Sequence, residues 1–115
     1  MIATVYHNPA CSKSRALLAL LDERGVAPHL VDYLGTPLSA DELARLIALL
    51  GDEARDLLRR DDPRYATLAF AGREPDTAEI ISALQQHPAL MQRPVFACGG
   101  RAVVARPPER ALALL

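Results

Sequence analysis

Lysine is almost missing from this chain: of 13 basic residues only Lys13 is a lysine, and the rest are arginines. Such a bias reflects either genome composition or a need for planar, forked anion recognition, and composition is the default reading for most of them. Cysteine is scarce too. Cys11 and Cys98 are too few for a secreted disulfide scaffold and lack zinc-ligand spacing, which favours a reduced, cytoplasmic setting. His29 and His87 have no partner at metal spacing, so no metal is expected. Long apolar runs are absent as well: the longest helical one, Ala16 to Leu21, is far too short to span a bilayer, and no basic leader precedes it. Nor is there a charge excess. The net charge of -1 gives no electrostatic case for nucleic acid or an anionic membrane surface.

The 115 residues, 50% hydrophobic and 23% charged, suffice for one globular domain, residues 1–115, that buries a core without staples. Its most informative stretch is His7-Asn8-Pro9-Ala10-Cys11-Ser12-Lys13-Ser14-Arg15. A lone thiol stands there between a strand-like run, Ile2 to Tyr6, and a helix-like run. The unpaired N–H groups and positive dipole end of a helix start stabilise a thiolate, the nucleophilic form, and also attract oxyanions. A structural cysteine gains nothing from that position. The placement predicts a depressed Cys11 pKa, with Lys13 and Arg15 as nearby cations.

Lys13 to Arg24 reads as a helix stopped by Gly25, and His29 to Tyr33 as a second strand, giving a βαβ unit with a parallel pair. Ser39 with Glu42, and Asp76 with Glu79, have capping-box spacing ahead of helical apolar repeats that end at Gly51 and near Gln86. Ala54 to Arg60 continues helically, with Leu57 and Leu58 inward, until Asp61-Asp62-Pro63; Tyr65 to Phe70 carries no clear pattern. Val95 to Ala97 and Ala102 to Ala105 flank Gly99-Gly100 as an antiparallel hairpin, and Pro107-Pro108 opens a terminal helix carrying Leu112, Leu114 and Leu115. The order is β-α-β, a helical insertion at about residues 37–90, then β-β-α, an α/β arrangement on a mixed sheet.

With Cys11 at the first strand-to-helix junction and Pro94 just before the third strand, this order resembles a thioredoxin-like fold carrying a helical insertion. The Cys11 loop, Leu57-Leu58-Arg59, His87-Pro88-Ala89-Leu90-Met91-Gln92-Arg93-Pro94 and Ala105-Arg106-Pro107 together resemble the glutaredoxin-dependent arsenate reductase family, with its ArsC, Spx and YffB-type relatives. The resemblance runs nearly end to end and implies an arsenate reductase. Cys11 attacks arsenate, glutathione as co-substrate displaces water to form a mixed adduct, and glutaredoxin resolves it with release of arsenite; no bound cofactor is implied. It carries the oxyanion-binding role onto Arg59, Arg93 and Arg106, places His7 and Arg15 beside the active loop, and implies a cis peptide at Arg93-Pro94. Spx-type regulators share the fold, bind RNA polymerase and commonly carry a Cys-X-X-Cys switch; here the fourth position is Ser14. Orphan relatives share Cys-Ser-Lys-Ser-Arg, so a noncatalytic regulator and a thiol reductase of another substrate are the alternatives.

Three guanidinium groups could neutralise a tetrahedral oxyanion and hold it in line with the sulfur. Arg60 is the residue to separate from Arg59, since one helical step turns a side chain by about 100°. His7 either supports the thiolate through the loop or is a surface histidine without a task. Ser14 either hydrogen-bonds the thiolate or caps the helix. Cys98 reads as a small buried apolar residue not needed for turnover.

Overall fold

A computed structural model describes residues 2–68, 70 and 73–115. Strand β1 (Ala3–Tyr6) lies inside a four-stranded sheet with β2 (His29–Val31) on one side and β3 (Val95–Cys98) and then β4 (Arg101–Val104) on the other. Thr4 faces His29 and Tyr6 faces Val31 in the parallel pair, while β1 with β3 and β3 with β4 run antiparallel. A parallel pair cannot be joined by a tight turn, and helix α1 (Ser12–Glu23) supplies the crossover. Between β3 and β4 a tight turn is possible because Gly99 and Gly100 take φ of 62° and 77°.

The insertion between β2 and β3 holds α2 (Ala40–Leu50), α3 (Pro63–Thr67) and α4 (Thr77–Gln86). Both expected capping boxes form, Ser39 with Glu42 and Asp76 with Glu79. Because side chains alternate across a strand, the sheet feeds two cores. Val5, Phe96 and Val103 pack with Leu17 and Leu21 of α1 and with Ala111 and Leu114 near the C-terminus. Val95, Ala97, Ala102 and Val104 pack with Leu43, Leu46 and Leu50 of α2 and with Ile80 and Leu84 of α4. No helix among the described residues is long and apolar enough to cross a membrane.

Local chemistry overrides the expected pattern in three places. The second strand stops at Val31 rather than Tyr33, because the Asp32 carboxylate accepts from the N–H groups of Leu34 and Gly35 at 3.1 and 2.9 Å and closes a turn. The expected helix over Ala54 to Arg60 is a 3-10 segment, Gly51–Asp56, that ends before Leu57. Beyond it the chain runs extended, with Leu58 bridged antiparallel to Met91, Gln92 N–H donating to Leu57 O at 2.6 Å and Arg59 N–H to Leu90 O at 2.8 Å. Leu57 and Leu58 are buried as expected, but by this ladder and not by a helical face. The terminal helix is likewise 3-10, Pro108–Leu114, and buries Ala111 and Leu114 while Leu115 stays exposed. The segment without a clear pattern begins as α3, started by Pro63 behind an Asp62 cap; Ala69 lies outside the described residues.

Phe96 is fully buried at the sheet centre, and Leu30 on edge strand β2 is 48% exposed. Phe96→Ala should cost about 3–5 kcal/mol of unfolding free energy, and Leu30→Ala much less than that. Urea denaturation of both variants checks the contrast.

Candidate active site

The loop that follows β1 is held by its own side chains. Asn8 Oδ1 accepts from Ala10 N–H at 3.0 Å, Asn8 O accepts from Cys11 N–H at 2.9 Å, and the Ser14 hydroxyl accepts from Asn8 N–H at 3.4 Å. Arg15 donates to Pro9 O at 2.8 Å, so its guanidinium serves the turn. His7 N–H donates to Val31 O at 2.9 Å, tying the loop's start to the end of β2. These bonds deliver Cys11 to the N-cap of α1 with extended dihedrals, φ −94° and ψ 123°.

Cys11 is buried, 9% exposed, at a polar junction. Burial pushes its thiol up. The N–H of Ser14, the Arg93 side chain, the N–H of Lys13 and the Arg93 charge together outweigh that and bring the pKa down from 9.0 to about 7. The neutral thiol makes no cap hydrogen bond; the helix-start N–H groups act on the anion. The expectation that the Lys13 and Arg15 charges lower the pKa is corrected in detail: Lys13 contributes through its backbone, and the effective cation is Arg93. Ser14 is fully buried, its hydroxyl on the loop and its backbone N–H toward the sulfur.

The ladder between Leu57–Arg59 and Leu90–Gln92 lays the two arginine-bearing segments side by side. Arg93 follows directly, and its peptide to Pro94 is cis. Its Nε is buried without a hydrogen-bond partner, as is His7 Nδ1. Burial lowers the His7 pKa, with the Asp32 charge opposing and the Arg15 charge assisting. Arg59 lies 3.6 Å from the Asp62 carboxylate. Arg60 faces elsewhere: it binds Glu74 and Arg55 O, and lies 5.7 Å from the centroid of the Tyr65 ring. Arg106 donates to Arg93 O at 3.1 Å and borders a cleft of about 410 Å³ shared with Asp56, Arg60, Gln92 and Arg110. Its peptide to Pro107 is also cis. Cys98 is buried in β3. Among the described residues no group of three or more His, Cys, Asp or Glu side chains could hold a metal ion.

Tyr33 was not among the expected site residues. It is 2% exposed, and its hydroxyl is pushed up to about 12 by burial, with the charges of Arg93, Cys11, Arg59 and Asp32 all acting on it. Cys11, Arg93, Arg59 and Tyr33 therefore share one electrostatic neighbourhood, and Arg106 meets the Arg93 main chain at its border. The residue could have been found from the Asp32-to-Gly35 turn signal, which takes Tyr33 out of the strand and lets it point inward.

A thiol at the N-cap of the first helix, beside a cis proline at the start of a central antiparallel strand, defines a thiol-chemistry site on a thioredoxin-like fold. The ArsC family model matches residues 6–114, and the chain belongs to that family. It is 42% identical to an arsenate reductase of Neisseria meningitidis serogroup B over 96% of each chain. It is also 42% identical to the uncharacterised protein YfgD of Escherichia coli, over 96% of this chain and 94% of that one. The solved structure of an arsenate reductase from Vibrio cholerae superposes with a TM-score of 0.90 at 40% identity, covering 100% of this chain and 98% of that one.

A folded-state pKa near 7 makes about half of Cys11 thiolate at neutral pH, against a few per cent for an ordinary cysteine near ~8.5. Since only the anion reacts, iodoacetamide alkylation should slow as pH falls through about 7 and level off above it. Arg93→Ala removes both a hydrogen bond to the anion and a neighbouring charge, so its midpoint should move to higher pH. A rate-against-pH profile, with Cys11→Ser as blank, measures both.

Proposed function

We propose that this protein reduces arsenate to arsenite, using glutathione as co-substrate and glutaredoxin as the final reductant. Cys11 is the nucleophile; Arg93 and Arg59 bind the oxyanion, and Arg106 supports them through the Arg93 main chain. The Cys11 thiolate attacks arsenic, and an arsenate oxygen leaves as water after protonation. Glutathione sulfur displaces a second water, giving an adduct with both sulfurs on arsenic. A glutaredoxin thiolate then attacks the glutathione sulfur; the electron pair of that arsenic–sulfur bond stays on arsenic, taking it from As(V) to As(III). Hydrolysis releases arsenite and returns Cys11. The reaction calls for no bound prosthetic group, and the two thiol reductants place it in the reducing cytoplasm.

The observation that carries this reading is the Arg93 guanidinium acting on a Cys11 thiol whose pKa is about 7. One group thereby serves two needs, holding the nucleophile anionic and offering an anion-binding donor next to it. The buried, unpartnered Arg93 Nε supports the second need, because a donor fixed in a low-dielectric pocket acts strongly on charge that develops nearby. The Neisseria and Vibrio relatives, named arsenate reductases at about 40% identity over nearly the full chain, support the choice of oxyanion.

The test is a coupled assay with arsenate, glutathione and glutaredoxin. Wild type should turn over, Cys11→Ser should be inactive, and Arg93→Ala should lose about 10²-fold or more in kcat/KM. Folded wild-type protein that leaves arsenate unchanged while its thiol still titrates near 7 would direct the same chemistry to another substrate.

A further inference from the structure

Asp62 has no task in the chemistry above, yet it is a carboxylate whose side chain is only 8% exposed. Burying such a group is costly unless it is paired. Here Oδ1 accepts from Arg64 Nε at 2.9 Å, Oδ2 from Arg64 Nη2 at 2.8 Å, and Oδ1 also from Arg64 N–H at 2.9 Å. Arg59 Nη1 lies 3.6 Å from Oδ2, on the same oxygen that Arg64 holds. Asp62 N–H in turn donates to Arg59 O at 3.2 Å. The Arg64 fork fixes the carboxylate, its hydrogen bonds and charge hold the Asp62 carboxyl well below the usual range, and the fixed anion faces Arg59.

Arg59 needs such a constraint. Its backbone is held by the bond to Leu90 O, but that leaves its side chain, 24% exposed, with four rotatable bonds to order. We propose that Asp62, clamped by Arg64, is a positioning residue that holds the Arg59 guanidinium in the oxyanion site. The pairing is loose enough at 3.6 Å to leave Arg59 donors for a ligand, and Arg64 offsets the charge that Asp62 would otherwise subtract from the site. The inference rests on the reading of Arg59 as an oxyanion ligand.

The experiment measures protection of Cys11 from iodoacetamide by arsenate, and by sulfate as a non-reducible oxyanion, at fixed pH in a double-mutant cycle. Asparagine caps a helix as well as aspartate, so Asp62→Asn keeps an acceptor for the start of α3 while removing the charge and the acceptor oxygen that faces Arg59. Arg59→Ala should raise the half-protecting concentration about tenfold or more, Asp62→Asn about threefold to tenfold, and the double variant no further than Arg59→Ala alone. Losses that multiply, or Asp62→Asn protected like wild type while Arg59→Ala is weakened, would overturn the positioning role. Unchanged protection in Arg59→Ala would overturn it too, since Asp62 would then have nothing to position. If Asp62→Asn does not fold, Arg64→Ala, which leaves the carboxylate but removes its clamp, enters the same cycle with the same expected non-additivity. Wild-type protection without turnover in the coupled assay separates failure of the arsenate reductase reading from failure of this one.

Discussion

Two backbone hydrogen bonds, Gln92 N–H to Leu57 O and Arg59 N–H to Leu90 O, are the constraint on which the rest of the site depends. They join the middle of the helical insertion, between α2 and α3, to the approach of β3, two segments far apart in sequence. Without them Arg59 would ride on a solvent-facing arm and Arg93 would emerge from an untethered loop. With them both arginines are fixed relative to the sheet, and the sheet fixes β1, the loop and Cys11. The fold's larger parts serve this alignment. α1 is pinned by Leu17 and Leu21, so its N-terminal N–H groups stay where the sulfur is.

The state of the thiol results from opposed influences. Burial favours the neutral form, and a cysteine moved this far into the protein without compensation would be less reactive than a free one. The N–H groups of Ser14 and Lys13 and the Arg93 guanidinium reverse the sign. Two of those three are backbone groups, which no side-chain substitution removes. Arg93 is therefore the adjustable part, and it comes from a distant stretch of the chain, so the lowered thiol pKa is complete only once the antiparallel half of the sheet has formed.

What could be read from the sequence follows from the range of the interactions involved. The capping boxes at Ser39 and Asp76, the glycine hairpin and the Cys11 loop are encoded within a few residues, and local pattern finds them. The stretch from Ala54 to Arg60 has helical periodicity, yet its second half is extended because pairing with Leu90–Gln92 offers bonds that no local signal announces. The two neighbours part there, Arg59 toward the Asp62 carboxylate and Arg60 toward Glu74. Tyr33 was hidden by its own β-propensity, which made it read as strand until the Asp32 turn redirected it. Asp62 was read as an interruption, although an aspartate before a proline is also the signature of an N-cap and N1 pair. Arg106 matches by motif; its Nη1 donates to the Arg93 carbonyl, and the residue also borders the cleft shared with Asp56 and Arg110.

The arginines sort themselves by partner. Arg60 is paired with Glu74, Arg73 with Glu79 and Arg110 with Glu53 near the surface, and Arg64 reaches from the surface to the buried Asp62. That is what the compositional reading of an arginine-rich chain leads one to expect, and the exposed pairs contribute little to stability because solvent screens them. Among the described residues Arg93 has no carboxylate within ion-pairing distance, and its buried Nε has no acceptor. A buried donor left unmade costs about 1–3 kcal/mol. A chain with a carboxylate supply for its other arginines could have neutralised this one as well, and doing so would have raised stability while lifting the Cys11 pKa back toward its ordinary value. The unmet donor is thus tied to the thiol: the same absence that weakens the fold lets the Arg93 charge act on the sulfur and lower its pKa.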